Sequence, residues 1–145
     1  WGLYGFTMCY RFTHDDKYLK HAQRIADFWF SLKHMPEDAI PYWDMKLPTY
    51  DETTPRDASA AAVTASGLYE LANYVQEDKA ENYRSQADKI LESLSSPAYL
   101  SALGTNQGFL LMHSTGHLPN QADVDVPLIY ADYYYLEALL RRKNR

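Results

Sequence analysis

The sequence predicts an all-α fold made of repeated helix hairpins. Apolar residues recur at spacings of three and four along most of the chain, as they do on the buried stripe of a helix. Two sets of residues recur at a constant offset of 65 positions: Gly2-Leu3-Tyr4 as Gly67-Leu68-Tyr69, and Tyr18, Ala22 and Ile25 as Tyr83, Ala87 and Ile90. One hairpin with its connecting loop is therefore the predicted repeating unit.

The first hairpin joins a helix that begins near Leu3 to a second helix that is expected to end near Lys33-His34, ahead of Pro36. His14-Asp15-Asp16 lies between the two helices as a predicted turn and cap. The acidic start and basic end of the second helix agree with the direction of the helix dipole.

A long aromatic loop is predicted between Met35 and Pro55. Four prolines forbid a regular helix there, and three aromatic residues crowd into the same stretch: Tyr42, Trp43 and Tyr50. Long loops without secondary structure are uncommon in compact domains and are often functional. The loop is therefore a candidate site, with a structural lid over the core as the alternative.

Three more helices are predicted, over Ala58 to about Val75, about Lys79 to Leu94, and near Pro127 to Arg141. Asp57 is expected to cap the third helix, and Asp125 the last one. The connection after Pro97 is expected to be short and irregular at first and then a polar loop.

The last helix would open a third hairpin whose second helix is not in the chain. The sequence thus holds about two and a half units, and a closed ring of six would need about 390 residues at this period. We expect residues 1–145 to be the C-terminal part of a single (α/α)6 toroid, with the N-terminal half of that domain outside the chain.

Charge and composition exclude several classes of partner. The 145 residues carry 14 Lys and Arg against 19 Asp and Glu, a formal net charge of -5, so no basic face is expected for nucleic acid or an anionic membrane. No run approaches the roughly 20 apolar residues of a membrane span. Cys9 is the one cysteine, and its apolar setting favours packing over reactivity.

The chain is rich in aromatic residues, at 14% with 13 tyrosines. Such rings suit a carbohydrate groove, since sugar faces stack on rings while sugar hydroxyls seek polar partners. A core built from amphipathic rings is the alternative explanation for the same composition.

Four sequence blocks follow one another along the chain: Trp1-Gly2-Leu3-Tyr4-Gly5-Phe6, Ile40-Pro41-Tyr42-Trp43-Asp44, Arg56-Asp57-Ala58-Ser59-Ala60-Ala61-Ala62, and Val124-Asp125-Val126-Pro127-Leu128-Ile129-Tyr130 continued by Asp132-Tyr133-Tyr134-Tyr135-Leu136-Glu137-Ala138. Together they resemble glycoside hydrolase family 88, the unsaturated glucuronyl hydrolases. The blocks keep the order that the family has, and the resemblance spans nearly the whole chain.

The resemblance implies a six-hairpin toroid, in agreement with the 65-residue period. It also implies removal of a 4,5-unsaturated uronic acid from the non-reducing end of oligosaccharides that polysaccharide lyases release. In that family an aspartic acid protonates the enol-ether double bond and assists attack of water at C5. The implied partner is therefore a small oligosaccharide, and no metal, nucleotide or other cofactor is expected.

The two catalytic aspartates of that family lie upstream of the block that begins at Trp1, so no residue of this chain is assigned a catalytic role. The chain alone is expected to be catalytically silent, as a fragment of such a hydrolase. Two alternatives stay open: a helical-repeat interaction module without catalysis, and a carbohydrate-binding module. Members of the family occur in the cytoplasm and in the periplasm, which leaves the compartment open.

The candidate substrate-binding residues are Trp1, Trp43, His113 and His117. Trp1 matches a family tryptophan that borders the bound sugar, a role that suits an indole face. Trp43 matches a family loop block, and closing the end of the toroid is its alternative role. His113 and His117 precede the last helix, where they would either hydrogen bond a sugar carboxylate or hydroxyl, or pin the loop.

No metal site is predicted at His113 and His117, although their spacing is that of a zinc pair on a helix. Gly116 and Pro119 indicate a loop there, and no third ligand is evident. Arg56 could pair with a uronate carboxylate, but the role of its neighbour in capping a helix is favoured.

The consecutive tyrosines Tyr133, Tyr134 and Tyr135 wrap too far around a helix to face one pocket, so one or two of them at most are expected to reach the lumen. Asp132, directly before them, is expected to cap a helix or to accept internal hydrogen bonds. Asp44 is expected to cap a turn.

Overall fold

The computed structural model describes every residue from Trp1 to Arg145 and contains α-helices without any β-strand. The helices are α1 Gly2–Thr13, α2 Asp16–Phe30, α3 Ala58–Leu71, α4 Glu77–Leu94 and α5 Ile129–Lys143. Three short 3-10 turns occupy Ala72–Tyr74, Asn106–Gly108 and Leu118–Asn120. None of the helices combines the length and the apolar character that a membrane span requires.

The helices form two layers, and α3 lies at the centre of the first. α3 packs against α1 and against α5, while α2 packs on α1 and α4 packs on α3. Every residue of α3 except Ala60 is buried, as expected of a helix that is surrounded on all sides. The all-α expectation is confirmed, and each predicted hairpin supplies one helix to each layer.

The two helices of the second layer bury equivalent positions of the 65-residue repeat. Ala22 in α2 and Ala87 in α4 are both fully buried, and Ile90 is buried as well. Lys79 of α4 donates to the side chain of Gln23 of α2 at 3.1 Å, which links the two helices across the surface. The repeat in the sequence therefore corresponds to a repeated packing register.

Two aspartates cap helices where the sequence predicted caps. Asp57 accepts two backbone N–H groups of the first turn of α3, at 3.0 and 3.3 Å, and Asp15 accepts one N–H group of α2 at 3.0 Å. The second helix ends at Phe30, before the expected Lys33-His34. Ser31 follows it, and its hydroxyl donates to the Phe28 carbonyl at 2.8 Å and so satisfies one of the last carbonyls of the helix.

Replacing Asp57 by alanine is expected to lower the free energy of unfolding by about 1 to 2 kcal/mol, because two N–H groups in a half-buried turn lose their acceptor. The matched replacement at Asp15, whose side chain is 42% exposed, is expected to cause a clearly smaller loss. Urea unfolding followed by tryptophan fluorescence measures both losses. Equal losses at the two caps would contradict the burial argument.

Gly67 lies where α3 approaches α1 closely. A Cβ atom at Gly67 would lie 3.3 Å from Leu3 Cγ and 3.4 Å from the backbone of Tyr4. Gly5, on α1, has open space in the direction of its missing Cβ. The two glycines therefore occupy helices for different reasons, since only Gly67 is required for the contact between helices.

Gly5→Ala is expected to raise the free energy of unfolding by about 0.5 to 1 kcal/mol, the difference in helix propensity between the two residues. Gly67→Ala gains the same propensity but pushes α1 away from α3, so a net loss of about 1 kcal/mol is expected. Thermal unfolding of the two variants at equal concentration compares them. A stabilising Gly67→Ala would show that the two helices can separate at no cost.

The helices α3 and α5 run parallel in one constant register. Three cross-contacts each join residues 71 positions apart: Ser59 with Tyr130, Ser66 with Glu137, and Glu70 with Arg141. α1 is parallel to them as well, because Leu3 lies beside Gly67 and Arg11 reaches Glu70. The N-terminal ends of α3 and α5 therefore lie at the same end of the molecule, while α1 points the same way and begins beside Gly67, further along α3.

A charged network ties these three helices together near their C-terminal ends. Glu70 is only 6% exposed, and its two carboxylate oxygens lie 2.6 Å from Arg141 and 3.2 Å from Arg11. Arg11 is not oriented to donate a hydrogen bond to Glu70. Its contribution is therefore only the positive charge that it places beside the carboxylate. Arg141 also donates to the Ser66 carbonyl at 2.6 Å.

Candidate functional site

The N-terminal ends of α3 and α5 follow directly on the two long connections of the chain, residues 31–57 and 95–128. Parallel helices direct the partial positive charge of their N-terminal ends toward the same region. Such a region favours an anionic ligand over a cationic one. This end of the molecule is therefore the candidate site for an anionic ligand.

Four rings form an aromatic cluster at this end, namely Trp1, Tyr4, Tyr130 and Tyr134. The ring of Trp1 lies 5.8 Å from that of Tyr130 and 5.2 Å from that of Tyr134, measured between centroids, and it meets Tyr134 edge to face. The rings of Tyr4 and Tyr134 are 5.0 Å apart. Trp1 is 64% exposed, so much of its indole surface is free. An exposed indole beside phenol hydroxyls has the chemistry that stacks on a sugar face.

The hydroxyl groups of this cluster stay protonated at neutral pH. Burial, together with the charges of Asp57 and Asp123, raises the pKa of Tyr130, against a smaller opposite effect of the hydrogen bond with Ser59. Burial and then the charge of Glu137 raise the pKa of Tyr134. Both phenols therefore remain donors that can serve a sugar hydroxyl or a carboxylate.

The strained loop, residues 113–125, borders the aromatic cluster. Four of its residues other than glycine adopt a left-handed backbone with φ between 53° and 63°: His113, Gln121, Asp123 and Asp125. Such conformations are costly for these residues and cluster at ligand sites. A Cβ on Gly116 would lie 3.7 Å from the Tyr130 hydroxyl, which shows how closely the loop approaches the cluster.

His113 and Asp125 meet within the strained loop. Nδ1 of His113 lies 2.6 Å from Oδ1 of Asp125. The expectation that Asp125 caps the last helix is wrong, because α5 begins after Leu128 and has no side-chain cap. The left-handed backbone at Asp125 places its carboxylate against the imidazole instead of the first turn of α5.

Asp132 anchors the connection that carries the strained loop. It is 7% exposed and accepts the backbone N–H groups of Leu110 and Leu111, each at 2.8 Å. The expectation of an internal hydrogen-bonding group is confirmed. Sequence reasoning missed its partners, since they lie more than twenty residues away in an irregular segment.

The other two candidates, His117 and Trp43, are held by backbone hydrogen bonds in the connections. The backbone of His117 pairs with that of Ala122 in both directions, at 3.0 and 3.1 Å, and its side chain is exposed without a partner. Trp43 is half-buried in the connection 31–57, where its backbone N–H donates to the Pro55 carbonyl at 3.0 Å. The structure thus places Trp1 in the aromatic cluster and His113 against Asp125 and Tyr99.

Arg56 belongs to an internal network that the sequence did not reveal. Its guanidinium pairs with Asp38 at 3.2 Å and lies over the ring of Tyr42 at 4.8 Å, and it donates to the Ile40 carbonyl. Tyr99 donates to the same Asp38 at 2.7 Å. The pairing of Arg56 with a uronate carboxylate is therefore not available while this network holds.

The three consecutive tyrosines take three different environments, as expected. Tyr134 joins the aromatic cluster, Tyr135 is buried with its hydroxyl 2.9 Å from that of Ser95, and Tyr133 is 58% exposed. Asp44 accepts the N–H group of Lys46 at 2.8 Å and so caps a turn. No group of three His, Cys, Asp or Glu side chains is placed to hold a metal ion.

Comparison with known proteins gives a consistent set of relatives. The unsaturated glucuronyl hydrolase of Formosa agariphila is 42% identical over 144 residues, which are 99% of this chain and 35% of that protein. A crystal structure of an unsaturated glucuronyl hydrolase specific for heparin matches at 49% identity and a TM-score of 0.95, over 99% of this chain and 38% of that one. A scan against protein-family models gives no match.

A third match has a bound saccharide. An unsaturated glucuronyl hydrolase variant from Streptococcus agalactiae, solved in complex with dGlcA-GalNAc6S, is 32% identical with a TM-score of 0.87, over 100% of this chain and 38% of that one. This chain spans little more than a third of the length of these relatives, and its helices match a portion of their (α/α)6 barrel. Over almost its whole length this chain is therefore similar to one part of the unsaturated glucuronyl hydrolases.

Proposed function

We propose that this chain forms one wall of the substrate site of a glycoside hydrolase. The enzyme removes a 4,5-unsaturated uronic acid from the non-reducing end of oligosaccharides produced by polysaccharide lyases, by hydration of the C4=C5 double bond. The observation that carries the proposal is the 49% identity to an enzyme of this kind at a TM-score of 0.95. Because similarity of fold does not by itself determine function, the proposal also depends on the chemistry of the residues at the site.

The chemistry at the tyrosine-lined end supports this role. The exposed indole of Trp1 offers a face for a sugar ring, and the phenols of Tyr130 and Tyr134 offer hydroxyl donors. The N-terminal ends of the parallel helices α3 and α5 favour the carboxylate of a uronic acid. The ligand class is a uronyl disaccharide, as in dGlcA-GalNAc6S, the saccharide bound to the Streptococcus agalactiae relative.

Residues 1–145 are the C-terminal part of a single toroid in this proposal, and the remaining hairpins supply the catalytic aspartates. No carboxylate of this chain is assigned to proton transfer. Asp57 is held by two N–H groups of α3, and Asp132 by two N–H groups of its connection. Asp125 is held by His113. These three acids therefore have structural partners instead of an open position toward substrate.

A chimera tests the proposal directly. The homologous third of the Formosa agariphila enzyme is replaced by this chain, and the ultraviolet absorbance of an unsaturated uronyl disaccharide near 232 nm is followed. We expect the chimera to remove the absorbance and the chain alone to leave it unchanged. A folded chimera without turnover would overturn the proposal, and sugar binding by the chain alone without turnover in the chimera would favour a carbohydrate-binding module.

Trp1→Ala in the chimera is expected to lower kcat/KM by at least about tenfold, because one stacking face is worth about 1.4 kcal/mol or more. Leu103→Ala is the control, since Leu103 is fully exposed in the connection 95–128. Steady-state kinetics on the same disaccharide measure both. Equal effects of the two changes would remove Trp1 from the substrate site.

A further inference from the structure

The pair formed by His113 and Asp125 is built more firmly than two exposed loop residues require. Their side chains are 43% and 57% exposed, yet they meet at 2.6 Å across twelve residues of sequence. Both residues hold a left-handed backbone, which is unfavourable for a residue with a side chain. Surrounding contacts must therefore fix the backbone at both positions.

Those contacts are backbone hydrogen bonds to the start of α3 and across the strained loop. The His113 carbonyl accepts the Ala58 N–H at 3.0 Å, and Ser114 exchanges two backbone hydrogen bonds with Val126, at 3.0 and 2.9 Å. Thr115 donates its hydroxyl to the Arg56 carbonyl at 2.9 Å. The loop is therefore tied to the α3 terminus at His113 and at Thr115.

The imidazole ring itself has two supports and one free nitrogen. The ring of Tyr99 meets it edge to face, with centroids 6.0 Å apart, and the Tyr99 hydroxyl is fixed by its bond of 2.7 Å to Asp38. Asp125 holds Nδ1. Nε2 of His113 has no partner in the chain.

Because an ionised carboxylate can only accept a hydrogen bond, the proton of a neutral His113 must lie on Nδ1. We propose that Asp125 is a positioning residue that holds His113 in this tautomer, so that the lone pair of Nε2 accepts a hydrogen bond from a hydroxyl of the bound saccharide. The assignment to a saccharide rests on the proposed function. A neutral histidine without such a partner would offer either nitrogen.

The tautomer is measured by long-range proton–nitrogen correlation spectra of the whole chain labelled with 15N-histidine, at a pH near 8.5, above the usual histidine pKa of about 6.5. We expect His113 to carry its proton on Nδ1. His117 is the internal control, because it lies in the same loop and its side chain has no partner. The same tautomer at both histidines would overturn the proposal.

Asp125→Ala is the deciding variant because it removes the acceptor of the Nδ1 proton. It is expected to give a mixture of tautomers at His113 and to leave His117 unchanged. Asp125→Asn keeps the shape of the side chain, but its carboxamide can either accept from Nδ1 or donate to it, so it is expected to weaken the preference for Nδ1. An unchanged His113 signal in Asp125→Ala would overturn the positioning role, even if the variant were less stable.

Kinetics of the chimera test the substrate contact. His113→Ala and Asp125→Ala are each expected to raise KM about tenfold with little change in kcat, and the double variant to be no worse than either one. Unchanged KM values with a displaced proton would overturn the contact with the saccharide. A chimera without any turnover would overturn the proposed function and that contact together, while the spectra would still decide whether Asp125 positions His113.

Discussion

Replacing Arg141 by alanine is expected to lower the free energy of unfolding by about 3 kcal/mol, the lower end of the range for breaking a buried ion pair. The Glu70 carboxylate would stay buried and lose the guanidinium 2.6 Å away. Arg11 would remain at 3.2 Å, which keeps the loss from being larger. The Ser66 carbonyl would also lose its donor.

Arg142→Ala is the matched control for this experiment. Arg142 is the next residue of α5, but its side chain is 37% exposed and pairs with Asp88 on the surface, so a loss within about 1 kcal/mol is expected. Urea unfolding of both variants at one protein concentration compares them. Equal losses would mean that Glu70 is reached by water and that its pairing contributes little. Arg141→Met, which restores packing without charge, is expected to recover only part of the loss.

The chain by itself is expected to self-associate through α5. Four large apolar side chains are exposed on this helix at spacings of four, three and four, which place them on one face: Ile129, Tyr133, Leu136 and Leu140, exposed by 71, 58, 52 and 57%. A continuous apolar face of this kind is uncommon on a monomer. In the proposed toroid it would lie against the remaining hairpins, and in the chain alone it would find a second copy.

The double change Leu136→Gln and Leu140→Gln is expected to raise the dissociation constant of the self-associated chain by about a hundredfold, since two buried leucines contribute about 3 kcal/mol together. Size-exclusion chromatography with light scattering over a range of concentrations measures it. Leu103→Gln, in a loop and away from α5, should leave association unchanged. A sharp thermal transition of a wild-type monomer would contradict this expectation.

Features that depend on neighbouring residues were predicted well from the sequence. The helix order, the caps at Asp15 and Asp57 and the repeat unit follow from local periodicity and from short side-chain to backbone bonds. The end of α2 was placed too late because one serine hydroxyl, invisible in the periodicity, satisfies a terminal carbonyl. Local rules therefore define elements well and their ends less well.

Features that depend on distant pairs could not be predicted. Asp125 has the spacing of a cap, but a left-handed backbone sends it to His113. Arg56 stands beside a capping aspartate in the sequence, yet its partner is Asp38, across a proline-rich loop. The contact of Trp1 with Tyr130 and Tyr134 depends on how α1 and α5 pack side by side, which the 65-residue repeat indicated only in outline.

The constant register between α3 and α5 fixes which residues of the last helix reach the tyrosine-lined end. The contacts at Ser59, Ser66 and Glu70 all join residues 71 positions apart, so one axial position of α5 satisfies the three together. A slide of α5 by one turn, about 5.4 Å, would break these three contacts. Because Tyr130 and Tyr134 lie on that helix, the position of their rings beside Trp1 depends on the same register.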